Sequence, residues 1–447
     1  MVRNANRNMK AGEQLKQPKS ADDEEPSDSE DRMIELDLSD PVANMPLLSG
    51  YFHLIDLDVD HEEMEDAEDD SYAGITAEFC KLDFALHKKD PSSGELCLTF
   101  EKSRFSARHC RILFSCSLCF RLPYVVCTVV PMFRFLLDAS PGCKNGVHYK
   151  VDLKTFAALA RMHDSKSPSV KALELSGVVF HESRCGSTLV ANALAAMNPA
   201  ENRVYSESAP PIEALSSICG EAYKFCSLDQ AAQILSDVIY LMSRTADDAE
   251  KRVFFKIQSI GTRNIQVFQH AFPHTPWIFV YRDPVQVMMS QLANGATHAN
   301  CVRPRKFKHT VATDLAHKKG KRVEDLSDVE YCALHLATIT ESAVTAMQRE
   351  PHLGTPVNYV NLPDILYKDI IPNKFGVQLS QAEIDNIIRV SSVYSKGTNG
   401  RKKEFKDDSK TKEKLASVEV REASHLFLDD SYSILESGGI VLKTVMT

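Results

Sequence analysis

The first thirty-one residues, MVRNANRNMKAGEQLKQPKSADDEEPSDSED, contain no apolar run. A secretory signal and an N-terminal membrane anchor are therefore not expected, and the expected location is cytoplasmic. Paired CxxC motifs are also missing. Cys116 and Cys119 form one pair, but no second pair follows at zinc spacing, so no metal site is expected. Twelve cysteines in a chain of 447 residues do not imply a disulfide framework, and reduced thiols are the expectation. The stretch Asp56–Asp70 has ten carboxylates and no Lys or Arg. It accounts for the formal net charge of -9. It also lacks the central Gly and alternating ligands of a calcium loop, so it reads as a solvated tail. There is no internal repeat. Basic clusters are present without aromatic interleaving, which argues against a nucleic-acid partner.

Hydrophobic residues make up 43% of the chain, enough for a globular core with a polar extension. Residues 1–75 read as a disordered, acidic N-terminal region. Residues 76–170 form a poorly defined segment with a cysteine-rich stretch at 93–130, which holds five of the twelve cysteines. Its apolar part, Ile112–Phe133, raises a membrane span, but Arg121 and Pro123 interrupt it. Buried strands or an insertion foreign to the fold are the remaining readings. From 171 to 447 strands and helices alternate. Strands are expected at Val178–His181, Arg203–Tyr205, Val253–Ile257, Trp277–Tyr281 and Val357–Val360. Helices are expected at Ser187–Met197, Leu228–Arg244, Arg263–Phe272, Pro284 to about Leu292, and Ser327–Arg349. The later part is mostly helical, with a basic loop at 396–414. This alternation implies an α/β fold with a central parallel sheet flanked by helices.

Between the first strand and its helix lies Ser183-Arg184-Cys185-Gly186-Ser187-Thr188. A strand that turns through a glycine into a helix aims backbone N–H groups and the helix dipole at one point, which suits a phosphate. A hydrolase loop, GxxxxGK[ST], would place Lys after the glycine; here Ser187 stands there and the cation, Arg184, comes first. Cys185 invites a thiol-nucleophile reading, but the Arg such a phosphatase needs six residues on is Ala191. The second informative stretch is YRDPVQVMMS. Arg282 ends a strand, Pro284 opens a helix, and Ser290 follows eight residues after Arg282. Both can hold one phosphate at the strand ends.

Together these motifs resemble the P-loop sulfotransferase superfamily. SRCGSTL is similar to its 5′-phosphosulfate loop in the arginine variant, and YRDPVQVMMS to its 3′-phosphate motif. VNYVNL is similar to a later segment, with Tyr359 in place. The resemblance covers roughly residues 175–414. It implies a P-loop nucleotide-binding fold and a sulfotransferase using 3′-phosphoadenosine 5′-phosphosulfate as co-substrate, with an acceptor hydroxyl on a small molecule, glycan or protein side chain and no metal. It further implies that Arg184, Cys185, Gly186, Ser187 and Thr188 grip the 5′-phosphosulfate. Arg282 and Ser290 would hold the 3′-phosphate, Tyr359 would contact adenine, and Ser395 and Lys396 would belong to a late closing loop. Arg184 suits charge stabilisation, Lys256 a place near the sulfuryl group, and Glu207 the acceptor's general base. For Lys256 a strand-end surface lysine is the alternative, and for Glu207 a helix cap before Pro211. His181 reads as a base or a core histidine. Arg303, Arg305, Lys306, Lys308, Lys318, Lys319, Lys321 and Arg322 read as a mobile acceptor-side loop or a solvated one. A kinase or nucleotide hydrolase on the same fold, and a non-catalytic nucleotide-binding protein, are the competing functions.

Overall fold

The computed structural model describes residues 33–39, 44–65, 72–84, 96–100, 124–128, 133–220, 223–307, 309–392 and 408–439. The strands in chain order are β1 (Met33–Glu35), β2 (His53–Val59), β3 (Ile75–Cys80), β4 (Leu96–Phe100), β5 (Tyr124–Thr128), β6 (His148–Asp152), β7 (Lys171–Ala172), β8 (Glu174–His181), β9 (Asn202–Ser206), β10 (Arg244–Thr245), β11 (Arg252–Lys256), β12 (Trp277–Tyr281) and β13 (Gly354–Asn358). The helices used below are α1 (Leu153–Lys166), α2 (Ser187–Met197), α3 (Ala209–Ser216), α4 (Leu228–Ser243), α5 (Ile265–Ala271), α6 (Pro284–Gln291), α7 (Asp328–Arg349), α8 (Gln381–Ser391), α9 (Ser409–Leu415) and α10 (Val418–Glu436).

Five strands make the central sheet, in the order β13-β12-β8-β11-β9, and every neighbouring pair is parallel. The strands are covered on both faces, and β12, WIFVY, is accordingly a continuous apolar run. Their side chains alternate between two cores. On β12, Trp277, Phe279 and Tyr281 enter one core, and Ile278 and Val280 the other. β8 splits the same way, with Val178 and Phe180 opposite Val179. α2 and α8 cover one face, while α4, α5, α7 and α10 contribute to the core of the other. Each such fully buried side chain contributes roughly 1.5–3 kcal/mol. Caps fix where the helices begin: Ser227 with Gln230, Ser327 with Glu330, and Ser380 with Glu383 each close a reciprocal capping box.

β8 is central. The chain goes from it to β9 and β11 on one side, then crosses to β12 and β13 on the other. The crevice at the C-terminal ends of β8 and β12 is therefore the switch point where an open parallel sheet binds its ligand.

The N-terminal part differs from its sequence reading. Part of the acidic stretch is not a tail: Asp56, Leu57, Asp58 and Val59 lie on β2, in a four-stranded sheet ordered β1-β6-β3-β2. Asp56 and Asp58 are exposed, whereas Leu57 and Val59 pack against the core. The acids occupy alternate positions, and period-two alternation is a half-buried strand. Met64, two per cent exposed, belongs to the same core. Residues 1–32, 40–43 and 66–71 of the region expected to be disordered lie outside the described residues. Arg244, on β10, joins α1 to the segment before β2: it donates to Asp164 on α1 and to the carbonyls of Leu47 and Leu48. Of the cysteine-rich stretch, β4 pairs antiparallel with β5. Its CxxC, Cys116 and Cys119, lies outside the described residues. Among the described residues no helix is long and apolar enough to cross a membrane.

The reduced-thiol expectation is also corrected. Disulfides join Cys80 to Cys143, Cys219 to Cys226 and Cys301 to Cys332. Two of them span 63 and 31 residues of sequence, so only the tertiary fold brings their partners together.

Candidate anion-binding active site

β8 ends at His181, and the chain turns sharply. Ser183, Arg184 and Gly186 have φ values of 74°, 58° and 88°. A turn built from left-handed residues ahead of a helix forms a concavity that converges backbone N–H groups on an anion. Gly186 stands at the N-cap of α2 without a side chain to occupy the helix start. It is needed twice over: its φ is left-handed, and a Cβ there would lie 2.7 Å from the Tyr359 ring. Ser187 and Thr188 begin α2 and are buried. Cys185 is fully buried in the core beneath α2. Burial, and then the charge of Glu182, push its thiol up to about 12, so it is no nucleophile and offers an anion only its backbone.

The second half is built by α6. Asp283 caps the helix, accepting from Gln286 N at 3.0 Å, and Pro284 sits in the first turn. Ser290, two turns along, then faces the first loop. Arg184 Nε donates to Ser290 Oγ at 2.8 Å, joining residues 106 apart in sequence. Arg282 is five per cent exposed. Its Nε donates to Gln286 Oε1 at 2.9 Å, and its Nη2 to Asp408 Oδ1 at 3.0 Å and Ser409 Oγ at 2.8 Å. The Tyr359 ring lies 4.4 Å under the Arg282 guanidinium and also abuts Gly186. One aromatic ring thus touches both halves.

A carboxyl missed in the sequence braces them. Glu182, fully buried, accepts from Arg282 N at 2.5 Å and from the Tyr432 hydroxyl on α10. Burial raises its pKa to about 8. Nothing local marks this role, because the partners lie 100 and 250 residues away.

The third cluster sits at the ends of β9, β11 and β8. Lys256 pairs in register with Ser206, and Glu207 N donates to the Lys256 carbonyl at 2.7 Å. The Lys256 ammonium donates directly to the Glu207 carboxylate. Lys256 is one per cent exposed, which excludes the surface-lysine alternative. Glu207 does not cap α3; Ser208 occupies that position, and Glu207 itself has a left-handed φ of 59°. His181 is buried, as a core histidine would be, yet its Nε2 lies 3.7 Å from Glu207 Oε1. Its Nδ1 accepts from Ser183 N at 2.9 Å, so the neutral ring carries its proton on Nε2, towards Glu207.

Arg184, Gly186, Ser187, Thr188, Arg282, Ser290, Tyr359, Glu207 and Lys256 thus gather along one edge of the sheet. Ser395, Lys396 and Lys308 lie outside the described residues. Where it is described, the basic run from Arg303 is largely helical rather than a loop. Residues 303–306 and 310–318 are helical, and Arg305, Lys319, Lys321 and Arg322 pair with Asp328, Asp430, Glu330 and Asp325. Among the described residues no group of three or more His, Cys, Asp or Glu side chains is arranged to hold a metal ion.

No protein-family model matches the chain, and no curated protein matches it. Solved structures do, eight chains in all, among them two mycobacterial sulfotransferases. The chain is similar to sulfotransferase STF9 from Mycobacterium avium at 11% identity and a TM-score of 0.30, over 53% of this chain and 72% of that one. It is similar to sulfotransferase STF1 from Mycobacterium tuberculosis H37Rv at 14% identity and a TM-score of 0.29, over 62% and 81%. At such values the functional reading rests on the site itself.

Proposed function

We propose that this protein is a sulfotransferase that moves a sulfuryl group from 3′-phosphoadenosine 5′-phosphosulfate to an acceptor hydroxyl. The observation that carries the proposal is the Arg184–Ser290 hydrogen bond, which makes the glycine-turn cradle and the Arg282 half one anion site at the sheet's switch point. The fit to a donor phosphorylated at two places is supported by chain chemistry: a backbone concavity at Gly186, and a buried guanidinium that already holds a carboxylate. The donor supplies an activated sulfuryl group. The chain's tasks are positioning, charge stabilisation and proton removal.

Arg184 and the N–H groups of the loop bind the 5′ end, and Arg282 with Ser290 the 3′ end. Tyr359, stacked on Arg282, offers a ring face to the base. Glu207 accepts the acceptor's proton on its carboxylate. Lys256 holds that carboxylate in place and supplies positive charge beside it. His181, with its proton on Nε2, lies 3.7 Å from the same Glu207 Oε1 that Lys256 holds. The acceptor is a hydroxyl compound rather than a nucleic acid. The three disulfides favour an oxidising compartment over the cytoplasm first expected.

Calorimetry with adenosine 3′,5′-bisphosphate, ATP and AMP tests the reading. The bisphosphate should bind tightest, without magnesium. A preference for ATP would favour the kinase or hydrolase reading and sink this one.

A further inference from the structure

The Arg282 end of the site is already satisfied from within the chain. Asp408 stands at the N-cap position of α9 but makes no cap. Its carboxylate spans two cations instead, with Oδ1 3.0 Å from Arg282 Nη2 and Oδ2 2.7 Å from Lys412 Nζ. Ser409 adds its hydroxyl to the same guanidinium at 2.8 Å. The two partners differ in exposure: the Arg282 side chain is 6% exposed and that of Asp408 54%. An ion pair with one half-exposed member gains little over its hydrated parts, so it exchanges readily for a better anion. Lys412 is drawn into the same group. Burial, with Arg282 and Arg184 among its charged neighbours, lowers its pKa despite the Asp408 contact. Arg282 and Lys412 therefore hold one exchangeable carboxylate between them.

We propose that Asp408 is a built-in stand-in for the ligand's phosphate, and that Lys412 is a third cation of that subsite. An incoming phosphate displaces the Asp408 carboxylate and takes over Arg282, Ser409 and Lys412. A phosphate outcompetes the carboxylate because it carries up to two charges and more acceptor oxygens. A nucleotide without that phosphate leaves the Asp408–Arg282 pair in place, so the pair sharpens discrimination. Only the identity of the phosphate as the 3′-phosphate of a sulfuryl donor rests on the function proposed above; the exchange itself does not.

The test is calorimetry on the full chain at fixed ionic strength, with inorganic phosphate, adenosine 3′,5′-bisphosphate and AMP. Asp408→Asn should bind inorganic phosphate and the bisphosphate about 3- to 5-fold tighter, with AMP unchanged. Lys412→Met should bind the bisphosphate roughly tenfold more weakly, again with AMP unchanged. Adding Arg282→Ala to Asp408→Asn should abolish the gain. Equal or weaker binding of both phosphate probes by Asp408→Asn overturns the proposal, as does binding of neither probe by either protein. If Asp408→Asn gains for inorganic phosphate while the wild type does not prefer the bisphosphate to AMP, the exchange stands and the sulfotransferase reading falls.

Discussion

The two ends of the cleft hold their cations in opposite ways. Lys256 is buried and bonded to a carboxylate on the adjoining strand end, with Glu207 fixed by its own backbone bond to Lys256. Arg282 is equally buried, but its carboxylate partner comes from a half-exposed residue far along the chain. A pair built into strand ends is permanent and suits chemistry. A pair with an exposed member is exchangeable and suits binding. The comparison can be broken by changing either pair and asking whether turnover or affinity responds.

The largest effect belongs to the permanent pair. Glu207→Gln is expected to lower kcat by roughly 10²- to 10⁴-fold, the usual contribution of a positioned base, while the bisphosphate affinity changes little. It also leaves Lys256 buried without its carboxylate, and breaking a buried pair costs about 3–5 kcal/mol. The Glu207→Gln, Lys256→Met double variant should recover much of that stability in denaturant melts and none of the turnover. Recovery of turnover would show that Glu207 is structural.

Next comes the brace between the halves. Glu182 keeps its proton up to about 8 in the fold, against 4.5 for an ordinary glutamate. Between those values the folded chain binds a proton that the unfolded chain has released. The Glu182 contribution to stability therefore falls as pH rises through this window and levels off above it. Chemical denaturation at about pH 5 and about pH 8 should show a larger loss for the wild type than for Glu182→Gln. Parallel losses in the two proteins would contradict the burial argument. The smallest effect concerns covalent ties. Non-reducing peptide mapping should recover Cys80–Cys143, Cys219–Cys226 and Cys301–Cys332, with Cys185 alkylated only after unfolding. Alkylation of all six paired cysteines without reductant would remove the case for an oxidising compartment.

What was legible follows from how far each signal reaches. WIFVY is fully buried on β12, and a continuous apolar run before Arg282-Asp283-Pro284 announces both the strand and the helix start. The glycine turn before α2 is equally local. The boundaries moved where caps decide them: the strand expected to reach Val360 stops at Asn358, because Tyr359–Asn361 forms a tight turn. β2 was overlooked because its charge masked the alternation of Leu57 and Val59 with Asp56 and Asp58. Glu182, Tyr432, Asp408 and Lys412 carry no local mark. Their roles come from contacts across the sheet edge, where sequence distance has no bearing on spatial distance.

The most direct test of the central claim is the effect of Arg282→Ala on binding of adenosine 3′,5′-bisphosphate and of AMP, measured side by side by calorimetry. Loss of a charge-assisted contact predicts roughly 10- to 100-fold weaker binding of the bisphosphate with AMP almost unchanged. Equal loss for both ligands would contradict the assignment of Arg282 to a 3′-phosphate, and with it the account of this cleft as a sulfuryl-donor site.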